Sequence, residues 1–450
     1  MKLASIILAA GQGTRMLSKH PKVVHQIAGK PMIWHALQAV ADLIEQPPVV
    51  VIGHGAEEVR DALQDDVLFA LQEPQLGTGH AVGVARHLID EKSDRILVTF
   101  GDMPLLRKES IEKLLQIHQA SDSPVTMTSF IGDEARGFGR VLRDEAGYVI
   151  GIAEQVDATP EQLTIREYNV SAYCFNADWL WTALDQIPIS PKGEYYLTDV
   201  IGLAVAQGYH VESQVLDDPE EAIGINNRVH LAAAERIYRK RINEKWMLAG
   251  VTIINPDVTY IEPDVTIGKD SVILPNTSLR GSTRIGEDCE IGPDTTIINS
   301  TVGNKVKLTA SVIEQAEIFD RVTMGPFCHL RKGAVLKEGV HLGNFGEVKE
   351  SILGADTKMG HFSYIGDAVI GKNVNIGAGT ITCNFDGKNK NLTEIGDDVF
   401  IGSDTMLVAP LKIGDRSITG AGSVVTHDVP PDTLVFGVPA IEKKKLEKSD

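Results

Sequence analysis

The sequence predicts an α/β domain with a mostly parallel sheet followed by a parallel β-helix, and three observations carry that expectation. Apolar runs alternate with amphipathic stretches over residues 1–227, a charged helical segment fills 228–250, and a six-residue aliphatic period runs through 251–450. These three stretches are expected to form a first domain, a linker helix and a second domain. A chain of 450 residues has length enough for two separate cores.

Within the first stretch, residues 4–10, 49–52, 96–100 and 125–130 read as strands, several of them apolar at every position and so buried on both faces. Helical patterns lie between them, as at 33–44 and 109–120. That order is the order of βαβ units, which predicts a Rossmann-like sheet with functional loops at the carboxyl ends of its strands.

From residue 228 to 249 the charges multiply, with Val229, Ala233 and Ile237 on one stripe and Arg236, Arg239, Lys240 and Arg241 largely elsewhere. At 1.5 Å per residue a continuous helix here spans roughly 33 Å. It reads as a rigid arm, the alternative being a surface helix packed back on the first sheet.

Beyond residue 250 the spacing becomes strict. Ile261, Ile267, Ile273, Leu279, Ile285, Ile291 and Ile297 recur every six residues, and Ile395, Ile401, Leu407, Ile413, Thr419 and Val425 restart the period. Glycine follows at 268, 286, 292, 396, 402, 414 and 420. Neither helical nor strand periodicity yields sixes, whereas three short strands per coil do, each stacking its aliphatic residue on the one below. The register is expected to break between about 301 and 324, and again at 384–394, where Asn-Phe-Asp-Gly-Lys-Asn-Lys-Asn-Leu-Thr-Glu replaces coil residues. Insertions in repeats fall on loops of one face, which makes the second break the candidate functional loop. The charged tail, 441–450, is expected to fray.

Composition excludes several classes. With 43 Lys+Arg against 61 Asp+Glu, a net charge of −18 argues against gripping nucleic acid or an anionic membrane through bulk charge, so an anionic ligand needs a local site. The 43% hydrophobic and 23% charged fractions exclude a disordered or fibrous chain. Cys174, Cys289, Cys328 and Cys383 show no C-x-x-C spacing and read as reduced cytoplasmic thiols. Residues 3–10 are too short for a membrane span and run into Gly11-Gln12-Gly13-Thr14, so no targeting or transmembrane segment is expected. The adjacent Cys328 and His329 lack further ligands at workable spacing, which sets a metal centre there aside.

The strongest chemical signal is Leu8-Ala9-Ala10-Gly11-Gln12-Gly13-Thr14-Arg15-Met16, followed by Pro21-Lys22, directly behind the first strand. Glycines let backbone N–H groups approach an anion, while Arg15 and Lys22 offset phosphate charge. A dinucleotide fingerprint needs Gly where Met16 stands, and a Walker A loop needs Gly-Lys-Ser/Thr; neither is present. The loop reads as a triphosphate cradle.

The pattern L-x-x-G-x-G-T-x-M…P-K resembles that of the sugar-1-phosphate nucleotidyltransferases. The likeness continues in order through residues 72–80 (Gln-Glu-Pro-Gln-Leu-Gly-Thr-Gly-His), Gly101-Asp102 and Gly137-Phe138-Gly139-Arg140. Glu154, Asn169, Gly193-Glu194-Tyr195-Tyr196 and Gly224-Ile225-Asn226-Asn227-Arg228 extend it. With the hexapeptide half added, nearly the whole chain resembles the family of bifunctional N-acetylglucosamine-1-phosphate uridyltransferases and glucosamine-1-phosphate acetyltransferases. That resemblance implies a nucleotidyltransferase fold, then a left-handed β-helix.

For the first half it implies attack by a sugar-phosphate oxygen on the α-phosphorus of UTP, with Leu8, Ala9, Ala10, Gly11 and Lys22 around the nucleotide. Arg15 orients the triphosphate, Asp102 and Asn226 hold Mg²⁺, and Gln72, Gly77 and Thr78 read the uracil edge. Gly139, Glu154 and Asn169 hold the sugar. For the second half it implies transfer of acetyl from acetyl-CoA to an amine, with His361 as base, oriented by Glu347. Arg331, Lys349 and Lys390 bind glucosamine-1-phosphate, Tyr364 and Asn375 position it, and Ala378, Asn384, Phe385, Ser403 and Ala421 line the acetyl-CoA groove.

The sequence departs from the pattern in four places: Phe100 for Tyr, Val170-Ser171 for Thr-Gly, Phe385 for Tyr, and Val438 where some members carry an arginine for CoA phosphate. The resemblance further implies a cytoplasmic homotrimer that makes UDP-N-acetylglucosamine, a cell-wall and glycan precursor. The alternative is a uridyltransferase whose β-helix serves only as a scaffold; the intact set His361, Lys349, Tyr364, Asn375 and Lys390 argues against it.

Overall fold

The computed structural model describes residues 2–63, 67–133 and 137–445. The chain divides into two compact units, Met1–Tyr238 and Arg239–Asp450.

In the first unit, the strand Leu3–Leu8 lies in the middle of a sheet, parallel to Val49–Ile52 on one side and to Arg95–Phe100 on the other. Leu68–Leu71 extends the first side in parallel, while Glu167–Asn176 runs antiparallel between Arg95–Phe100 and Val125–Ile131. Because side chains alternate across a strand, each central strand feeds two cores. Ile6, Leu8, Val49, Val51, Ile96 and Val98 enter one, and Ile7, Ala9, Val50, Ile52 and Leu97 the other. The helices Met32–Val40 and Lys108–Ala120 bury Ile33, Leu37 and Val40, and Ile111 and Leu114, in that second core. The first helix tightens into a 3₁₀ turn at Ala41–Leu43, where the sequence pattern suggests continuation.

The helix Arg228–Leu248 starts in the first unit and ends in the second. Its anticipated stripe is only partly covered: Val229 is 75% exposed and Ala233 and Ile237 are half-buried, while Ala234, Ile242 and Asn243 are inside. In the first unit Glu235 accepts from the Ala28 N–H at 2.6 Å, and the Tyr238 ring meets His35 edge-on at 4.3 Å. In the second unit Asn243 Nδ2 donates to the carbonyls of Pro256 and Thr259 at 2.9 and 3.2 Å. Polar and aromatic contacts thus set the helix's rotation, which an aliphatic count does not register.

The second unit is a triangular coil. One face stacks Met359 on Ile376, Ile376 on Ile401 and Ile401 on Thr419; a second stacks Leu330, Val348 and Ile365; a third stacks Leu336, Leu353 and Ile370. All these pairings are parallel, as expected of a left-handed β-helix of hexapeptide repeats. The break expected at 301–324 is absent. Ile285 pairs with Val302, Ile297 with Ile313 and Val302 with Ile318, so the coil continues while single residues drop out at its corners. Corner loss shifts the count of six without disturbing the stack. Many corners are Asp or Asn at positive φ, including Asp288, Asn299, Asp356, Asn373 and Asp404. After glycine, short polar side chains tolerate that left-handed conformation best.

The second break is a true insertion: Ile370 pairs with Ile395 directly, and the intervening loop stands outside the coil, with Phe385 bridging to Lys390. Residues Ala440–Lys445 of the tail pair antiparallel with Thr433–Gly437 rather than fraying. The rest of that tail, 446–450, lies outside the described residues.

Candidate functional site

The carboxyl ends of the central strands open into one cavity of about 590 Å³. Leu8, Ala9, Ala10, Gly11 and Gln12 form one wall, Lys22 and Asp102 the floor of positive and negative charge, Gln72, Gly77 and Thr78 a second wall, and Gly139, Glu154 and Asn169 a third. Stretches far apart in sequence meet here because a strand's carboxyl end delivers each of them to the same edge of the sheet.

The Gly-rich loop bends where the chain needs it. Gly13 has φ 62, and a Cβ there would come within 2.7 Å of Lys22 Cβ, so glycine lets the loop close on Lys22. Lys22 Nζ donates to the Asp102 carboxylate and lies 3.5 Å from Asn226 Oδ1. Arg15 stands outside the cavity wall and donates to the same Asn226 oxygen at 2.9 Å. Asn226 therefore joins the site through its two cations and not as a lining residue. The oxygens of Asp102 and Asn226 converge on one positive charge, an arrangement that fits a small divalent cation completed by phosphate oxygens.

On the second wall, Gly77 has φ 95, and a Cβ would sit 2.6 Å from the Tyr195 carbonyl oxygen. This close approach lets Gly79 N–H donate to Tyr195 O, and Tyr195 N–H to Leu76 O, both at 2.8 Å. Gln72 Nε2 donates to Gly77 O at 2.9 Å, and Thr78 Oγ1 accepts from Leu197 N–H at 2.9 Å. The wall is a stiff hydrogen-bonded edge.

The third wall holds a buried carboxyl. Burial raises the pKa of Glu154, partly opposed by the hydrogen bond it accepts from Thr198 Oγ1 at 2.9 Å; Asp199 and Asp157 raise it further. Asn169 Nδ2 donates to Tyr173 Oη at 2.6 Å, at a bulge where the strand shifts register between Asn169 and Tyr173. Ser171, in the departure from Thr-Gly, has φ 62, a conformation where glycine is at home. Thr198 and Tyr173 also line the cavity and escaped sequence reasoning, while Gln75 and Ser171 line it from stretches that the sequence singled out without giving those residues a role. Only the 193–196 motif, ending two residues upstream, pointed toward Thr198.

In the coil, register brings a second set together. His361, Ala378, Ser403 and Ala421 each stand two residues past the stacked Met359, Ile376, Ile401 and Thr419, so they form one column at a single corner. Asp404 N–H donates to Ala378 O at 2.6 Å, and Gly422 N–H to Ser403 O at 2.8 Å. Around that corner, on the second face, Arg331 and Lys349 occupy successive coils and Tyr364 pairs with Glu347 in register. The inserted loop brings Lys390 against Lys349, and the adjacent ammonium lowers the Lys349 pKa.

Asn384 donates to Tyr364 Oη at 3.4 Å. Phe385 is 61% exposed on the loop, and Asn375 projects from the first face, paired in register with Phe400. The expectation that Glu347 orients His361 is not met within this chain: Glu347 accepts from Arg331 at 2.9 Å. Cys328 is buried and donates to Gly343 O, and His329 pairs with Glu314 at 3.1 Å; among the described residues no group of three or more His, Cys, Asp or Glu gathers for a metal.

Residues 5–191 match the MobA-like NTP transferase domain, and 264–299 and 392–427 match the bacterial transferase hexapeptide repeats. The chain is 46% identical to the bifunctional protein GlmU of Heliobacterium modesticaldum, over 99% of this chain and 96% of that one. It is 47% identical to that of Syntrophomonas wolfei, over 96% and 97% of the two chains. With the protein of the same name from Fervidobacterium nodosum the identity is 49%, over 96% and 94%. A nucleotidyltransferase sheet and a hexapeptide coil in one chain, matched over nearly its full length, make this protein a member of the bifunctional GlmU family.

Proposed function

We propose that the chain acetylates glucosamine-1-phosphate with acetyl-CoA and then transfers uridylyl from UTP to N-acetylglucosamine-1-phosphate, releasing pyrophosphate. The observation that carries this reading is the pairing, in one chain, of the cavity built on the Gly-rich loop with the corner column that holds His361.

In the cavity, a sugar-phosphate oxygen attacks the α-phosphorus of UTP while Lys22 and Arg15 offset the repulsion between two anions. Leu8, Ala9, Ala10 and Gly11 hold the nucleotide, Gln72, Gly77 and Thr78 its base, and Gly139, Glu154 and Asn169 the sugar. Asp102 and Asn226 hold Mg²⁺, which when bound neutralises charge on the triphosphate and the departing pyrophosphate. In the coil, His361 takes the amine proton as the amine attacks the thioester carbonyl, Ser403 donates to the developing oxyanion, and the C–S bond then breaks so that CoA leaves as the thiol with the proton from His361. Arg331, Lys349 and Lys390 bind the sugar phosphate, Tyr364 and Asn375 position it, and Ala378, Asn384, Phe385 and Ala421 complete the acetyl-CoA groove.

The reading includes a homotrimer, and the shape of the coil supports assembly with further copies. His361 lies on a convex corner, with Asn375 on one adjoining face and Tyr364 on the other. Groups diverging from a convex edge converge on one ligand only across a gap to another copy. No helix among the described residues is long and apolar enough to cross a membrane, and the reading places the enzyme in the cytoplasm. Residues 1–227 then carry uridyl transfer and 251–450 acetyl transfer, joined by the helix of 228–250.

The test follows two products from the purified protein. Free CoA thiol should appear with acetyl-CoA and glucosamine-1-phosphate in the absence of UTP, and pyrophosphate with UTP and N-acetylglucosamine-1-phosphate. Pyrophosphate without thiol release would make the coil a scaffold.

A further inference from the structure

Three features of the second face point to a residue that the proposed acetyl-transfer site has not yet used. In the outward column that carries Arg331 and Lys349, the next coil places Gly366, in register with Lys349. A Cβ at Gly366 would strike the Tyr364 hydroxyl and come within 2.9 Å of Asn384 Nδ2, so the missing side chain is the notch that both groups occupy. Beside the notch stands Asp367, at a corner with φ 51. Asn384 Nδ2 donates to its carboxylate at 2.5 Å.

The inserted loop is ordered internally but needs an anchor. Asp386 Oδ1 accepts from the N–H groups of Lys388 and Asn389 at 2.8 and 2.7 Å, and Asp386 Oδ2 accepts from Asn391 Nδ2 at 3.1 Å. Asn391 N–H then closes onto Asn384 O at 2.7 Å. This compact hairpin leaves Lys390 beside Lys349, two ammonium groups that repel each other. The Asp367 carboxylate attracts both, and it holds Asn384, the residue at which the hairpin leaves the coil.

We propose that Asp367 is a positioning residue for acetyl transfer: it anchors the inserted loop through Asn384 and draws Lys390 and Lys349 together against their repulsion, fixing the cationic pocket for the sugar phosphate. This rests on the reading of Lys349 and Lys390 as sugar-phosphate ligands. The chemistry allows a test by sign. A carboxylate that merely stood near an anion site would oppose phosphate binding, so its removal would tighten binding. A carboxylate that assembles the site does the reverse.

Asp367→Asn keeps the shape, suits the left-handed corner and still offers Asn384 an acceptor, but removes the charge. The expected result is a KM for glucosamine-1-phosphate raised about tenfold, the scale of one charge-assisted hydrogen bond, with the rate of uridyl transfer unchanged. Lys390 should also react faster with an amine-directed acylating reagent, followed by mass spectrometry, because its ammonium loses the carboxylate that draws it in. Asp367→Ala, which frees Asn384 as well, should lower kcat in addition.

Lys390→Ala is the control. If it raises the KM for glucosamine-1-phosphate while Asp367→Asn leaves it unchanged or lowers it, Asp367 does not position the loop and the proposal is overturned. If Lys390→Ala itself leaves that KM unchanged, the reading of the sugar-phosphate site fails and the proposal falls with it.

Discussion

The amide oxygen of Asn226 lies 3.5 Å from the ammonium of Lys22, across 204 residues of chain, and the same ammonium donates to Asp102. The three groups bring together the Gly-rich loop, the end of the strand Arg95–Phe100 and the entrance to the helix Arg228–Leu248. A cation held between two oxygen acceptors marks where the first site concentrates its charge.

Asp102→Ala should therefore cut uridyl transfer by about 10²–10³-fold, the scale on which preorganised charge acts in a transition state. Acetyl transfer should be nearly unchanged, because its residues belong to the other unit. Pyrophosphate and free CoA thiol, assayed on the same preparation, check both halves of this expectation. Loss of the two activities together would contradict a two-site enzyme.

His361→Ala should do the opposite, lowering acetyl transfer by about 10²–10⁴-fold, as loss of a general base does, while pyrophosphate release continues. Undiminished thiol release would remove His361 from the mechanism.

His35 gives the first unit an acid limb. It is buried, bonds through Nε2 to Ile27 O at 2.8 Å and packs against Tyr238, and burial lowers its pKa from 6.5 to about 4. Below pH 6.5 the unfolded chain takes up a proton that the folded chain refuses until about pH 4, so stability falls as pH drops through that window. The loss should total about 3 kcal/mol at 1.36 kcal/mol per pKa unit. Urea unfolding at pH 7 and pH 4.5 measures it, and His35→Phe should flatten the difference. Equal slopes in the two proteins would assign the acid limb to other groups.

The helix contacts distinguish two fragments. One ending at residue 227 loses the burial of Ala234, the Glu235 acceptor for Ala28 N–H and the Tyr238 ring on His35. One ending at residue 240 keeps all three. The shorter fragment should be less stable by about 2–4 kcal/mol, a typical scale for losing several such contacts, and both should retain some uridyl transfer. Thermal melts of the two, with pyrophosphate release, test this; identical melts would show that the helix contributes nothing to the first unit.

Much of this was legible from residue order alone. Period fixes which residues can share a face, so the two-sided strands at 49–52 and 96–100 and the aliphatic sixes from Ile261 to Ile297 specify a buried sheet and a coil without coordinates. Motif order located the loop at Leu8–Lys22, Asp102 and Glu154, which converge on one cavity. The physical reason is that backbone geometry repeats locally, and local repetition is written in the spacing of side chains.

The remainder depends on groups meeting across long stretches of chain. The coil runs unbroken through 301–324, because backbone pairing tolerates lost corner residues that spoil a count of six. Arg331, not His361, engages Glu347. Asn384 turns to Asp367, and Thr198 reaches Glu154, through contacts that no spacing encodes. Hydrogen bonds and charge pairs act over a few ångströms in space whatever their separation in sequence, so the fold could be read from the pattern while the partners of its polar groups had to be seen.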